Sequence, residues 1–209
     1  REPSVGASLE RQHAARGLRL EAEPLGGPVL AALAARDPFR VGCSTSHHCR
    51  MVRLSKLALE NARAIPRTRE TPPHITARVE TGAGTSLSFL GAHLARPLYA
   101  DHHQRDMAAL ARLIGEQEAP IIVAGDLNAT PWSWSLARFQ WTTGLRRHRT
   151  LGATWPNEKP LYPLLLIDQV LVSQDIAVVD AWSGPDLGSD HLPTIVQLAL
   201  PAEPRGSGP

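Results

Sequence analysis

The sequence predicts an α/β domain in which two β-sheets pack face to face with helices outside. Three observations carry that prediction. His74 to Glu80 alternates in period two, and Ser86 to Leu94 resumes the pattern after Gly82-Ala83-Gly84, as a pair of half-buried strands does. Asp101 to Gly115 has helical spacing, with Met107, Leu110, Ala111 and Ile114 on one face. The apolar run Ile121-Ile122-Val123-Ala124 reads as a buried strand that stops at Gly125-Asp126. Strands in pairs with helices interposed suit two packed layers of sheet.

The remaining elements follow in chain order. Leu9 to Ala15 reads as a helix and Leu18 to Ala22 as a short strand. Pro28 to Arg36 is an alanine-leucine helix with proline at its start, where the missing N–H costs nothing. Phe39-Arg40-Val41 and Met51 to Ser55 are strands on either side of a Cys/His loop. Asp101 is the expected cap of the 101–115 helix. A short helix near Trp134 to Phe139 follows the Asp126 strand, and Leu166 to Val172 and Thr194 to Leu200 are the last two strands. With neither a repeat nor a linker, residues 1–200 form one domain, and 201–209 is a disordered tail rich in Pro and Gly. The opening Arg1-Glu2-Pro3-Ser4 looks like a cut point inside a longer chain.

Composition narrows the class. The 209 residues are 43% hydrophobic and 20% charged with a net charge of +2, ordinary for a folded domain with a real core. So small a charge tolerates a phosphate-bearing substrate without demanding nucleic acid. No apolar run approaches the ~20 residues that cross a bilayer, and no signal-peptide pattern opens the chain. The two cysteines, Cys43 and Cys49, flank His47 and His48. A local disulfide is favoured over a zinc site, which needs further ligands at regular spacing, and over two unrelated thiols.

Ionisable side chains recur at the ends of apolar strands. His93 closes one strand, Asp126 and Asn128 another, Asp168 interrupts an apolar run, and Asp190-His191 leads into the last strand. Two residues apart in an extended segment, Asp126 and Asn128 point the same way. A carboxylate beside a neutral amide suits metal-assisted chemistry on a phosphate, because the amide contacts a phosphoryl oxygen without adding repulsion. Singly, each has a plainer reading: Asp168 as a satisfied structural carboxylate, His93 as a core or surface histidine. Their order along one short chain is what points to a shared pocket.

That order resembles the endonuclease/exonuclease/phosphatase superfamily of metal-dependent phosphoesterases. The matching segments are Gly91-Ala92-His93-Leu94, Gly125-Asp126-Leu127-Asn128-Ala129-Thr130-Pro131, Ile167-Asp168-Gln169-Val170 and Gly188-Ser189-Asp190-His191-Leu192-Pro193. Thr154-Trp155-Pro156 and Trp132-Ser133 look most similar to small bacterial members, several of them membrane-tethered. The resemblance implies a four-layer, DNase-like α/β sandwich of two mostly antiparallel sheets flanked by helices. It also implies a hydrolase of phosphate esters, chiefly a phosphodiesterase or nuclease, using Mg²⁺ or Mn²⁺. Asp126 would activate the attacking water and Asn128 would hold it or steady the phosphorus. His93, oriented by Asp168, and His191 would contact the phosphate. Asp190 and Glu21, with Glu23 as the alternative, would bind the metal. The family's first strand has no counterpart before Leu18, which predicts weak metal affinity or low activity.

Arg96 follows His93, and Arg146 and Arg147 open a basic cluster near Trp132, Trp134 and Trp141; all three arginines are candidate contacts to substrate, including nucleic acid. The partners implied are a phosphate ester, with nucleic acid among the options, and a monomeric chain. The competing functions are a ligand-binding member of the same fold without turnover, a lipid or small-molecule phosphatase, and an unrelated α/β binding protein. The cysteine pair and the tethered relatives favour an extracytoplasmic, periplasmic-side location.

Overall fold

The computed structural model describes residues 18–21, 36–43, 51–81, 86–147, 152–158 and 160–200. The helices expected at 9–15 and 28–36 lie almost wholly outside these, as do the 82–84 turn, the 44–50 loop and the 201–209 tail.

Six strands form the main sheet. β4 (Leu59–Ile65), β5 (His74–Glu80), β6 (Ser86–Ala92), β7 (Ile121–Asp126), β9 (Asp168–Val172) and β8 (Arg146–Arg147) stand in that spatial order. Every pairing is antiparallel except β6–β7. A parallel pair needs a crossover, and helix α1 (Ala100–Gly115) provides it. A second helix, α2 (Trp134–Thr143), begins at Ser133, whose hydroxyl accepts from the Leu136 N–H, and ends at Gly144 in the left-handed conformation. α1 starts at Ala100 after Tyr99 without a side-chain cap, so Asp101 sits in the first turn rather than capping it.

Period-two alternation separates the two faces of this sheet. Leu90, Ala92, Ile121, Val123 and Leu171 face α1 and α2, where Met107, Leu110, Ile114, Leu136 and Phe139 complete one core. Val79, Leu87, Phe89, Ile122 and Val172 face the other way, against Leu57, Val178 and Leu198. That second layer consists of two small antiparallel sheets: β1 (Leu18–Glu21), β3 (Val52–Ser55) and β2 (Phe39–Gly42) in one, the hairpin of β10 (Ala177–Ser183) and β11 (Thr194–Ala199) in the other. Arg53 of β3 is buried between the layers with its guanidinium 3.5 Å over the Phe89 ring and no hydrogen-bond partner among the described residues; burial pulls its pKa down to about 9. No helix among the described residues is long and apolar enough to cross a membrane.

β4, β8 and β10 carry no period-two signal and were not expected. β4 reads Leu-Glu-Asn-Ala-Arg-Ala-Ile, with a register irregularity between Glu60 and Arg63 and Asn61 at positive φ, and these break its alternation. The strand expected from Leu166 begins at Asp168. The carboxylate therefore opens the strand instead of lying within it.

Gly125 sets how closely β7 approaches β6. Its φ is +145°, and a Cβ there would lie 2.0 Å from the Ala92 carbonyl oxygen. Gly125→Ala is expected to destabilise the fold on the order of 3 kcal/mol. Urea unfolding measures this, and an unchanged midpoint would contradict it.

Candidate active site

The register of the main sheet brings the acids together. Asp126, the last residue of β7, is the direct partner of Asp168, the first of β9. By alternation both carboxylates share a face with Ile122 and Val172, the face toward the second layer, so they stand at the mouth of the cleft between layers. β6 ends beside them, with Gly91 paired to Ala124 and His93 one residue past the strand.

Each carboxylate meets one imidazole. Asp168 Oδ2 lies 2.8 Å from His191 Nδ1 and accepts the Thr154 hydroxyl at 2.5 Å. Asp126 Oδ2 lies 3.5 Å from His93 Nε2. The expected pairing of Asp168 with His93 is corrected: Asp168 orients His191, because the chain after β10 brings the 189–191 turn down onto the start of β9. The Trp155 ring lies beside His191 with centroids 6.4 Å apart. The Thr154 carbonyl accepts from the Leu192 N–H at 2.8 Å, so one buried residue holds both the acid and the turn carrying its histidine.

The electrostatics of the two pairs differ. Burial, reinforced by the negative charge of Asp168, pushes Asp126 up to about 7. Burial, helped by the positive field of His191, moves His93 below its ordinary value. Both members of the 3.5 Å contact thus shift toward neutrality, and it is a long polar contact rather than an ion pair. Burial also opposes charge on His191, but the hydrogen bond and charge of Asp168, with Asp126 and Asp190, outweigh it and raise the pKa. His191 is the imidazole whose hold on a proton the site strengthens.

Asn128 does not simply extend the strand alongside Asp126. Its φ of +48° turns the chain back, a conformation asparagine tolerates. The Asn128 N–H donates to Asp126 Oδ1 at 2.9 Å, and Nδ2 donates to the Leu94 carbonyl at 2.9 Å and to Asp126 Oδ2 at 3.3 Å. Among the described residues, no donor meets its side-chain Oδ1.

The loops under the site are pinned from α1. Asp106 takes a bidentate contact from Arg67, at 3.0 and 2.9 Å, and accepts the Ala95 N–H at 2.8 Å. His103 Nε2 bonds the Leu127 carbonyl at 3.0 Å. Neither Arg67, His103, Asp106 nor Thr154 was foreseen as part of the site. The signal was present for two of them: His103 and Asp106 fall on the apolar stripe of α1, where a polar residue requires a buried partner.

The other candidates divide. Exposed Arg96 lies close enough to lower both His93 and Asp126. Asp190 raises His191, and its carbonyl accepts the Asn157 N–H. Glu21 ends β1 opposite Val52, next to Met51, which packs on Ile75, the partner of Gly91. Its backbone is therefore at the catalytic end of the cleft, while its side chain and Glu23 lie outside the described residues. Arg146 is corrected. It pairs with Val172 at the far end of β9 and donates to the Gln174 and Ile176 carbonyls, so it does not line the site. Arg147, paired with Leu171, likewise stands toward that end. Cys43 is disulfide-bonded, and Cys49 is the only other cysteine in the chain.

The Endonuclease/Exonuclease/phosphatase family matches residues 9–191. This chain belongs to that family. Solved structures share the fold at low identity. A beta toxin variant from Staphylococcus aureus with bound magnesium ions aligns at TM-score 0.65 and 11% identity, over 90% of this chain and 89% of that one. An endonuclease/exonuclease/phosphatase from Bacteroides vulgatus aligns at 0.65 and 15%, over 85% and 83%. Sphingomyelinase C from Streptomyces griseocarneus aligns at 0.60 and 14%, over 86% and 82%. No curated protein matches the sequence. The fold is thus a family sandwich of sheets with helices, and the chain is a phosphoesterase-type hydrolase by family.

Asp126→Asn tests the strain at the acid pair. The folded value of Asp126 lies above the ordinary 3.8, so the stability it contributes is complete below about pH 4 and lost as pH rises through about 7. In chelator-treated protein, Asp126→Asn is expected to melt several degrees above wild type at pH 8 and close to it at pH 4. A variant no more stable than wild type at pH 8 would contradict the assignment.

Proposed function

We propose that the chain is a divalent-metal-dependent hydrolase of phosphate esters that acts on phosphodiesters with a water nucleophile. The observation that supports this most is the Asp126–Asp168 pair across β7 and β9, each carboxylate with its own imidazole. Asp126, poised near neutrality, takes the proton of the attacking water. The Asn128 carbonyl oxygen, left open by the bonds of Nδ2, positions that water. His191, kept protonated by Asp168, donates to a phosphate oxygen, and neutral His93 with Arg96 contacts the others.

The donor set suits a hard cation. Burial, with the charge of Asp168 added to it, raises Asp126, and a Mg²⁺ or Mn²⁺ bound nearby would offset the negative charge gathered there. Among the described residues no three His, Cys, Asp or Glu side chains converge as a ready cation site. At phosphate sites Mg²⁺ is generally held by one or two carboxylates, the substrate phosphate and water. Asp190 and Glu21 are the residues we assign to it. When bound, the ion would neutralise charge developing on the phosphate.

Hydrolysis of bis(p-nitrophenyl) phosphate with Mn²⁺ tests the reading. Asp126→Ala and His191→Ala are each expected to lower kcat/KM at least ~100-fold. Equal background rates in wild type and both variants would remove the catalytic claim.

A further inference from the structure

Three loops surround the site, because β6 and β7 end there and β9 begins there. The loop after β6 exposes Leu98, 88% accessible, and Tyr99. The loop after β7 exposes Trp132, 71% accessible, and leads to exposed Trp134 at the start of α2. The loop entering β9 exposes Leu161, Tyr162 and Leu164. Among the described residues, seven of the ten exposed large apolar side chains stand in these segments, so the apolar surface is concentrated at the catalytic end. Contiguous exposed apolar surface marks an interaction site.

The chemistry of this rim selects the partner. A polynucleotide requires cations spaced along its phosphates. By sequence, the segments 93–99, 127–134 and 152–167 carry two cations, Arg96 and Lys159, and one acid, Glu158, too few cations to follow a strand of phosphates. Arg146, which would have served a nucleic acid, caps carbonyls at the other end of β9. Three of the seven exposed side chains are leucines, which have no π-face for a base. Trp and Tyr over leucine, with few charges, is instead the composition that settles at the headgroup level of a bilayer.

We propose that the catalytic end of the sheet docks on a lipid bilayer, with the 93–99, 127–134 and 160–166 segments entering the interface and bringing the site to phosphodiester headgroups. This deepens the phosphoesterase reading above and rests on it for the substrate.

Phosphatidylcholine vesicles carrying brominated acyl chains test the docking without relying on turnover. Wild type is expected to cosediment, with its tryptophan fluorescence quenched. Trp132→Ala/Trp134→Ala is expected to lower partitioning at least about tenfold. Val179→Ala, an exposed apolar change on β10, should retain it. Wild type that stays in the supernatant unquenched would overturn the proposal. So would salt-sensitive binding of a single-stranded oligonucleotide that the same double variant loses. Vesicle binding by protein inactive on bis(p-nitrophenyl) phosphate would support the docking surface while removing the hydrolase reading, so the two failures are distinct.

Discussion

Asp126 and Asp168 occupy facing positions on neighbouring strands, and like charges there repel. That juxtaposition organises everything around it. Alternation along β7 and β9 makes it unavoidable: once Ile122 and Val172 fill the core between the layers, the strand-end residues on that face emerge at the cleft mouth. The protein relieves the repulsion unequally. Asp168 receives a hydroxyl and an imidazole, whereas Asp126 is buried beside it and is driven up to about 7. Two acids with one chain position each, set apart by their surroundings, become a charge holder and a base.

Holding that arrangement takes polar pegs driven through apolar surfaces. Asp106 and His103 lie on the inner face of α1 yet bond the backbone of the two loops that leave β6 and β7. Thr154 does the same for the segments before β9 and β11. Gly125 lets β7 come within reach of the Ala92 carbonyl, closer than any side chain permits. Each of these contacts aligns a loop with a strand end instead of adding to the core. This is what a site built from four separate chain segments requires.

How far the sequence revealed this depended on locality. β5 and α1 were legible because one face of each alternates or repeats as apolar, and β6 and β7 because each is a short apolar run that both cores bury. β4 was not, since its irregular register scrambles the alternation, and two-residue β8 is too short to carry a pattern. For the candidate site, order along the chain singles out His93, Asp126, Asn128, Asp168 and His191, and the fold brings these five side chains together. Partnership was beyond reach: nothing in spacing says that Asp168 meets His191 rather than His93, because that depends on where the β10–β11 hairpin returns. Arg146 and Arg147 misled for a related reason. They follow the catalytic strand closely in sequence, but antiparallel pairing with β9 carries them to its other end.

The central claim is that Asp168 holds His191 in its protonated form beside a desolvated Asp126. Histidine side-chain ¹⁵N NMR across a pH titration, in wild type and Asp168→Asn, reads this directly. The account predicts that His191 in wild type titrates above the ordinary histidine range and drops below its wild-type value once the carboxylate is an amide, with His93 titrating below that range in wild type. A His191 titration that Asp168→Asn leaves in place would contradict it.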